Sequence, residues 1–496
     1  FYLYLNMTKP GEKLILSYSD TNAKGEGISP AYLIGSIRSL YPKLEIEGGA
    51  GVRPHKNSIN NYCYPENPEA GIDLFLEKLV QETEKEHEDI LEQADETDAM
   101  FGELYSWYLR NPEYRSRVQK LVQSAFAGKP EDIISQSVAK ALYGEVSPYS
   151  ATRLERFAAC AFAHFLQYGM KLTERVEYEF KPMDMGNVMH EALESFAEEV
   201  RKRGMKWTEL TEQERNEIAD RCLDNIVADY GNTVLKSSAR NEYMIERTRR
   251  ILRRTVWALQ KQLEQGEFQP EGFEVTFGGG RIDRVDIMED QNKVYVKVID
   301  YKTGNTSFDL VYLYHGLQLQ LMIYLDGALR VEQKKYPDKE IIPAGVFYYN
   351  IKDPMIQEKI DADVEAVSAG LMKELKMNGL VQADPELVYR MDSSLGSIPV
   401  AFNKDGSFRK NSSVADRTQF AVLGRYVRTK IEKIRSSILE GDAEVSPYEL
   451  GKKNACTYCP YMTVCGFDRR LSGYEFRRLK NFSDEELWKA FDREAE

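Results

Sequence analysis

Hydrophobic positions recur along this chain with two periods, and the period-two stretches are the more informative. Arg281–Met288 and Lys293–Lys302, both rich in β-branched residues, flank the polar run Glu289-Asp290-Gln291-Asn292 and predict a β-hairpin. Helical spacing dominates elsewhere. Between Asn60 and Glu145 apolar residues recur at Leu74, Leu76, Leu79 and Val80, and again at Val118, Leu121, Val122 and Phe126. The first residues read differently: strand over Phe1–Met7, a break at Pro10-Gly11, strand over Leu14–Tyr18, then a helix over Pro30–Leu40 with Ser29 as N-cap. From Ser147 onward the pattern is helix, three or four strands, and helix.

Alternation assigns faces within the hairpin. If Met288 and Lys293 close the loop, Asp283 opposes Val298 and Asp300 opposes Arg281, which makes the two aspartates diagonal neighbours about 7 Å apart at the backbone. Val285, Ile287, Val294, Val296 and Val298 share their face, with Lys302 beside Asp300. An apolar face of this kind needs a helix packed on it. Paired carboxylates at its rim make a hard-oxygen site suited to Mg²⁺. Asp286 points to the other face and is excluded. The alternative for Asp300 and Lys302 is a surface ion pair.

Composition narrows the class without naming it. The 496 residues are 42% hydrophobic and 29% charged, and no apolar run reaches membrane-spanning length, so neither a single small module nor a membrane protein is expected. The non-Met start and the absence of a signal peptide read as a piece of a longer cytoplasmic chain. A net charge of −13 argues against a simple nucleic-acid coat, but the charge is uneven. Gln81–Met100 holds nine acidic residues against Lys85, whereas Arg247, Arg249, Arg250, Arg253 and Arg254 cluster, as do Arg469, Arg470, Arg477, Arg478 and Lys480. Solvated helix faces are the plain reading of each cluster.

Other residues carry candidate chemistry. Gly186–Glu194 reads as an amphipathic helix that would place His190, near its start, within reach of a metal; a lone histidine is also a common core residue. Gln320 and Tyr324 lie one helical turn apart, suited to touching a substrate backbone, or simply packed. Cys456, Cys459 and Cys465 supply three soft ligands, with Cys160 the candidate fourth; zinc is the generic reading, and inert buried thiols the alternative. Cys63 and Cys222 stand alone. No Gly-x-x-x-x-G-K-[ST] phosphate loop occurs, so ATP hydrolysis is not expected.

In order, these elements are Gly186-x-x-x-His190, Gly280-x-Ile282-Asp283, Asp300-Tyr301-Lys302 and Gln320-x-x-x-Tyr324. They resemble the RecB-type branch of the PD-(D/E)xK nucleases. The resemblance implies that His190, Asp283, Asp300 and the main-chain carbonyl of Tyr301 hold a divalent metal, Mg²⁺, while Lys302 orients the attacking water. The split of one cysteine before these motifs and three after resembles the iron-sulfur staple of AddB-type nucleases, which implies a [4Fe-4S] cluster on Cys160, Cys456, Cys459 and Cys465. Ser150–Glu155, Gly345–Tyr349 and Asn378-Gly379-Leu380 extend the match. Phe1–Leu40 resembles the end of a superfamily 1 helicase core, with Met7-Thr8-Lys9-Pro10 lacking the arginine of its Thr-Arg motif. Two departures stand out: Ala161 where the family has proline, and the short Phe277–Gly280 connection, which puts any role of Glu274 in doubt.

The expected fold is therefore α/β. It comprises a degenerate helicase-like α/β remnant (1–59), a helical linker (60–146), a restriction-endonuclease-like PD-(D/E)xK domain (147–480) and a C-terminal helix or tail (481–496). The resemblance implies a Mg-dependent deoxyribonuclease acting on single-stranded DNA, in particular the 5′-terminated strand. It further implies an AddA helicase-nuclease partner, a role at double-strand-break ends, and basic clusters lining the strand channel. The competing expectations are a stand-alone exonuclease of the CRISPR-adaptation type and a non-catalytic DNA-end scaffold.

Overall fold

A computed structural model describes the chain except residues 1, 19–28, 45–66, 85–95, 127–132, 145–149, 174–181, 230–237, 279, 357–362, 472 and 496. Cys63, the middle of the acidic stretch and the expected domain start at Ser147 lie outside the described residues. Two compact units emerge, Phe1–Ala125 and Phe126–Glu496. No helix among the described residues is long and apolar enough to cross a membrane.

The first unit is helical among its described residues: α1 (Tyr2–Thr8), α2 (Tyr32–Leu40), α3 (Pro68–Glu84), α4 (Glu96–Arg110) and α5 (Pro112–Ala125). Two strand expectations are corrected here. Residues 2–8 form a helix, and Leu14–Tyr18 has no regular structure. A short apolar run is ambiguous in period, and no described strand of this unit offers it a ladder. The next helix begins at Tyr32 with Ala31 in the cap position, not Ser29. Helical spacing in α3 to α5 does form a core, with Leu79 and Val118 buried beside Ile72, Phe75 and Tyr108. Val80 and Phe126 are exposed instead.

The second unit opens with α6 (Gln136–Tyr143), α7 (Ala151–Ala159), α8 (Ala161–His164), α9 (Pro182–Lys202), α10 (Glu212–Asp229) and α11 (Ala239–Glu264). The sheet follows as β1 (Gln269–Phe277), β2 (Gly280–Asp290) and β3 (Lys293–Lys302). A crossover through α12 (Leu310–Tyr314) and α13 (Gln320–Lys335) leads to β4 (Glu340–Asn350), α14 (Val364–Glu374), β5 (Asn378–Gln382), α15 (Pro385–Met391) and β6 (Val414–Ala415). The chain ends with α16 (Arg417–Glu440), short strands β7 (Tyr448–Leu450), β8 (Lys453–Asn454) and β9 (Arg477–Arg478), and helices α17 (Met462–Cys465) and α18 (Asp484–Ala495).

The sheet runs β1-β2-β3-β4-β5-β6, with β3/β4 and β5/β6 parallel and the other pairs antiparallel. The crossover that a parallel pair requires is supplied by α13. Helices α9, α10 and α11 cover one face through Met288, Tyr295, Ile299 and Tyr301. Helix α13 covers the other through Val285, Ile287, Val294, Val296 and Val298, with α16 packed against α13 and α18 against α16. Those five valines and isoleucines form the apolar face that alternation predicted, and the mixed α/β class is borne out.

The hairpin register differs by two residues from the expected one. Val285 pairs with Val298 and Asp290 with Lys293, so the turn is only Gln291-Asn292, with Gln291 left-handed at φ 42°. A two-residue shift preserves face parity while moving Asp283 from opposite Val298 to opposite Asp300. Alternation also breaks locally: Ile282 and Val285, three positions apart, lie in the same core. Asp283 is therefore not simply on the face of Val285, because its carboxylate turns to the main-chain N–H of Tyr301 at 2.7 Å.

Candidate active site

Three carboxylates line up across adjacent strands. The register Phe273↔Arg284 and Val275↔Ile282 places Glu274 opposite Asp283, and the β2/β3 register continues the row to Asp300. Glu274 holds a left-handed backbone at φ 50°, a conformation that non-glycine residues adopt only where surrounding structure enforces it. Its side chain meets Arg281 on one oxygen and His190 Nδ1 at 3.8 Å on the other.

His190, the ninth residue of α9 and thus further along its helix than expected, also lies 3.4 Å from Asp283 Oδ2. Burial alone would lower its pKa, yet hydrogen bonds and charge from Asp283 and Glu274 raise it to about 10. A proton on the ring offsets two converging carboxylates. A divalent cation would answer the same charge with the imidazole neutral, so this donor set fits a hard metal. Among the described residues, ligand atoms of His190, Glu274 and Asp283 come mutually within 4.8 Å. Asp300 is not in that group, and Glu274, doubted from sequence, is.

Asp300 is nearly fully buried, and burial followed by the charge of Asp283 pushes its carboxyl up to about 7. Its Oδ2 meets Lys302 Nζ at 2.6 Å. Lys302 in turn donates to Gln320 Oε1 at 2.8 Å, and Gln320 Nε2 donates to the Tyr324 hydroxyl at 2.9 Å. The ion pair is thus an internal one, continued by the two α13 residues that sequence had suited to a substrate backbone. Asp286 is excluded as expected: fully buried on the other face, it binds Arg284 and Lys297. Tyr301 commits its N–H to Asp283 and stacks its ring edge-on against His190.

A cluster of cysteines lies at the C-terminal end of α7. Cys160 caps that helix, and with Cys456, Cys459 and Cys465 it lines a cavity of about 20 Å³. Burial and then the charges of the other three push the Cys456 thiol up to about 12. Ionising these thiols together would require a cationic partner. Among the described residues, no three of the sulfurs fall mutually within 4.8 Å. Nearby, Arg477 donates to Ala158 O, and Phe162 N donates to Glu444 O at 3.0 Å, tying the C-terminal segment to the α7/α8 corner. Cys222 is an ordinary core residue.

A profile of the PD-(D/E)XK nuclease superfamily matches residues 148–466. The chain belongs to that superfamily. It is also similar along its whole length to proteins named as the B subunit of an ATP-dependent helicase/deoxyribonuclease. Identity is 39% to that of Lachnoclostridium phytofermentans, covering 100% of this chain and 43% of the relative. It is 32% to that of Alkaliphilus metalliredigens and 31% to that of Clostridium acetobutylicum, each covering all of this chain and 44% of the relative. The chain thus spans less than half the length of these curated relatives.

Arg249 and Arg253 pair with Asp220, Arg249 also with Asp224, and Arg250 with Asp353. Arg470 pairs with Asp468, and Arg478 lies 3.8 Å from Glu449. Much of this charge is committed to ion pairs within the fold. A cleft of about 490 Å³ between α13 and α16 carries Arg330, Lys334, Arg428 and Arg435 on its lining, but none of the site carboxylates.

Proposed function

We propose that this chain is a divalent-metal-dependent deoxyribonuclease, the nuclease portion of a helicase-nuclease. The observation that carries the reading is the carboxylate row Glu274, Asp283 and Asp300, flanked by His190 and ending on Lys302. His190, Asp283, Asp300 and the Tyr301 carbonyl would hold Mg²⁺, with Glu274 beside them. When bound, the metal would neutralise charge at the scissile phosphate and acidify water. Asp300 and Gln320 hold the Lys302 ammonium from two sides, and in this reading the ammonium would orient the attacking water. Tyr324 fixes the Gln320 amide.

The substrate of this reading is single-stranded DNA, specifically the 5′-terminated strand of a broken duplex end unwound by an AddA-type motor, in recombinational repair in the bacterial cytoplasm. Its support is the likeness over the full chain to helicase/deoxyribonuclease B subunits. The same likeness favours it over a stand-alone exonuclease. The four cysteines would hold a [4Fe-4S] cluster, a reading supported by their convergence on one cavity from both ends of the domain. The test is cleavage of 5′- and 3′-labelled single strands with Mg²⁺. Asp283→Ala and Lys302→Ala should each abolish cutting while leaving DNA binding largely intact. Undiminished cleavage in either variant overturns the assignment.

A further inference from the structure

Helix α13, which carries Gln320 and Tyr324, begins without a cap of its own: Leu319 occupies the cap position and offers no side-chain acceptor. The first N–H groups of a helix are orphan donors, and leaving them unpaired in a buried place is costly. Here one distant oxygen serves two of them. Glu155 Oε1 accepts from Leu319 N at 2.7 Å and Gln320 N at 2.9 Å, across more than 160 residues of chain.

Glu155 sits on α7, whose end is fixed by Cys160 and by the Arg477 contact to Ala158 O. It is within electrostatic reach of Lys302 and Asp300. The main chain of Gln320 is therefore held by α7, while the side chain of the same residue holds Lys302. We propose that Glu155 is a positioning residue, setting where α13 starts and through Gln320 where the Lys302 ammonium sits. This rests on the nuclease reading above for its catalytic consequence, though not for its geometry.

The chemistry required of position 155 is a single acceptor oxygen at the right reach, not a negative charge. Burial pushes the carboxyl up to about 7 against the pull of the two amides, and either protonation state keeps an oxygen able to accept. Glutamine offers the same oxygen at the same distance; alanine offers none; aspartate withdraws it by about one C–C bond length, roughly 1.5 Å. A displacement of about 1 Å in a positioning group lowers turnover up to about a hundredfold.

The test combines two readouts on the full chain and its Glu155→Ala, Glu155→Asp and Glu155→Gln variants. Amide hydrogen exchange at Leu319 and Gln320 reports the anchor, and steady-state cleavage of a single-stranded oligonucleotide with Mg²⁺ reports the lysine. In Glu155→Ala, exchange at those two amides should quicken and kcat fall about 10- to 100-fold, with KM within about twofold. Glu155→Gln should restore protection and most of kcat. Should the alanine variant fail to fold, Glu155→Asp carries the test with the same direction and a smaller loss. Wild-type turnover in Glu155→Ala overturns the proposal, as does Glu155→Gln that is protected at both amides yet as slow as the alanine variant. An inactive wild-type chain would sink the nuclease reading alone, since exchange at 319–320 still decides the anchor.

Discussion

Two aspartates three residues apart, Asp283 and Asp286, should fail in opposite ways when removed. Asp286 takes the Arg284 guanidinium on both oxygens, at 2.6 and 2.9 Å, and Lys297 Nζ at 3.0 Å. No side chain in this triad is more than 7% exposed. Asp286→Ala leaves two buried cations without their counter-charge, and breaking a buried pair from one side costs about 3–5 kcal/mol. That corresponds to two to three and a half decades, roughly, in the unfolding equilibrium. Trp207 lies 5.6 Å from the guanidinium, so its fluorescence reports the loss during denaturant unfolding. Replacing all three members by Leu or Met of similar volume should recover most of the deficit. Burial alone would raise the Asp286 pKa, yet Arg284 and Lys297 hold it below the usual range. A depressed carboxyl contributes stability above the unfolded value of about 4 and loses it as pH falls below that, so wild type and Asp286→Ala should converge in acid. A loss below about 1 kcal/mol in Asp286→Ala, or a triple variant no better than the single, would refute the reasoning.

Asp283→Ala should instead abolish cleavage at a smaller stability cost than Asp286→Ala, since the lost acceptor for the Tyr301 N–H is partly offset by relief of like charge beside Glu274 and Asp300. Gln320→Leu removes the Lys302 acceptor and should lower kcat by about tenfold or more with little change in single-strand affinity, measured by filter binding. Chelation with EDTA should stop cleavage and added Mg²⁺ restore it; cutting that persists in EDTA would exclude the metal reading. Purified chain should be brown with broad visible absorption lost in Cys456→Ala, whereas a colourless protein with stoichiometric zinc would exclude the cluster. Gly441 closes α16 at φ 94°, and a Cβ there would collide with the Ile134 carbonyl, so Gly441→Ala should lower the melting temperature by several degrees.

The N-terminal run shows where local pattern stops. Phe1–Met7 carries residues compatible with either period, and residues 2–8 are helical in a unit whose described residues hold no strand. Where alternation was long and clean, as along Val294, Val296 and Val298, it grouped correctly the residues that share the core with α13, although the strand is buried on both faces. The turn was less legible. Gln291 adopts a left-handed backbone without the glycine or asparagine that normally announces one, and the two-residue register shift followed from that.

The sequence by itself determined the order of motifs, the apolar face of the hairpin and the exclusion of Asp286, because each depends on spacing within one or two elements. Only the tertiary structure decided which groups meet. Glu274 joins His190 and Asp283 because a left-handed residue in β1 and the β1/β2 register turn it there. Glu155 reaches α13, and Cys160 reaches the other three thiols, because α7 packs against segments far along the chain. Local spacing repeats with a fixed period and can be counted; contacts across a hundred or more residues depend on how whole elements pack, which no period records.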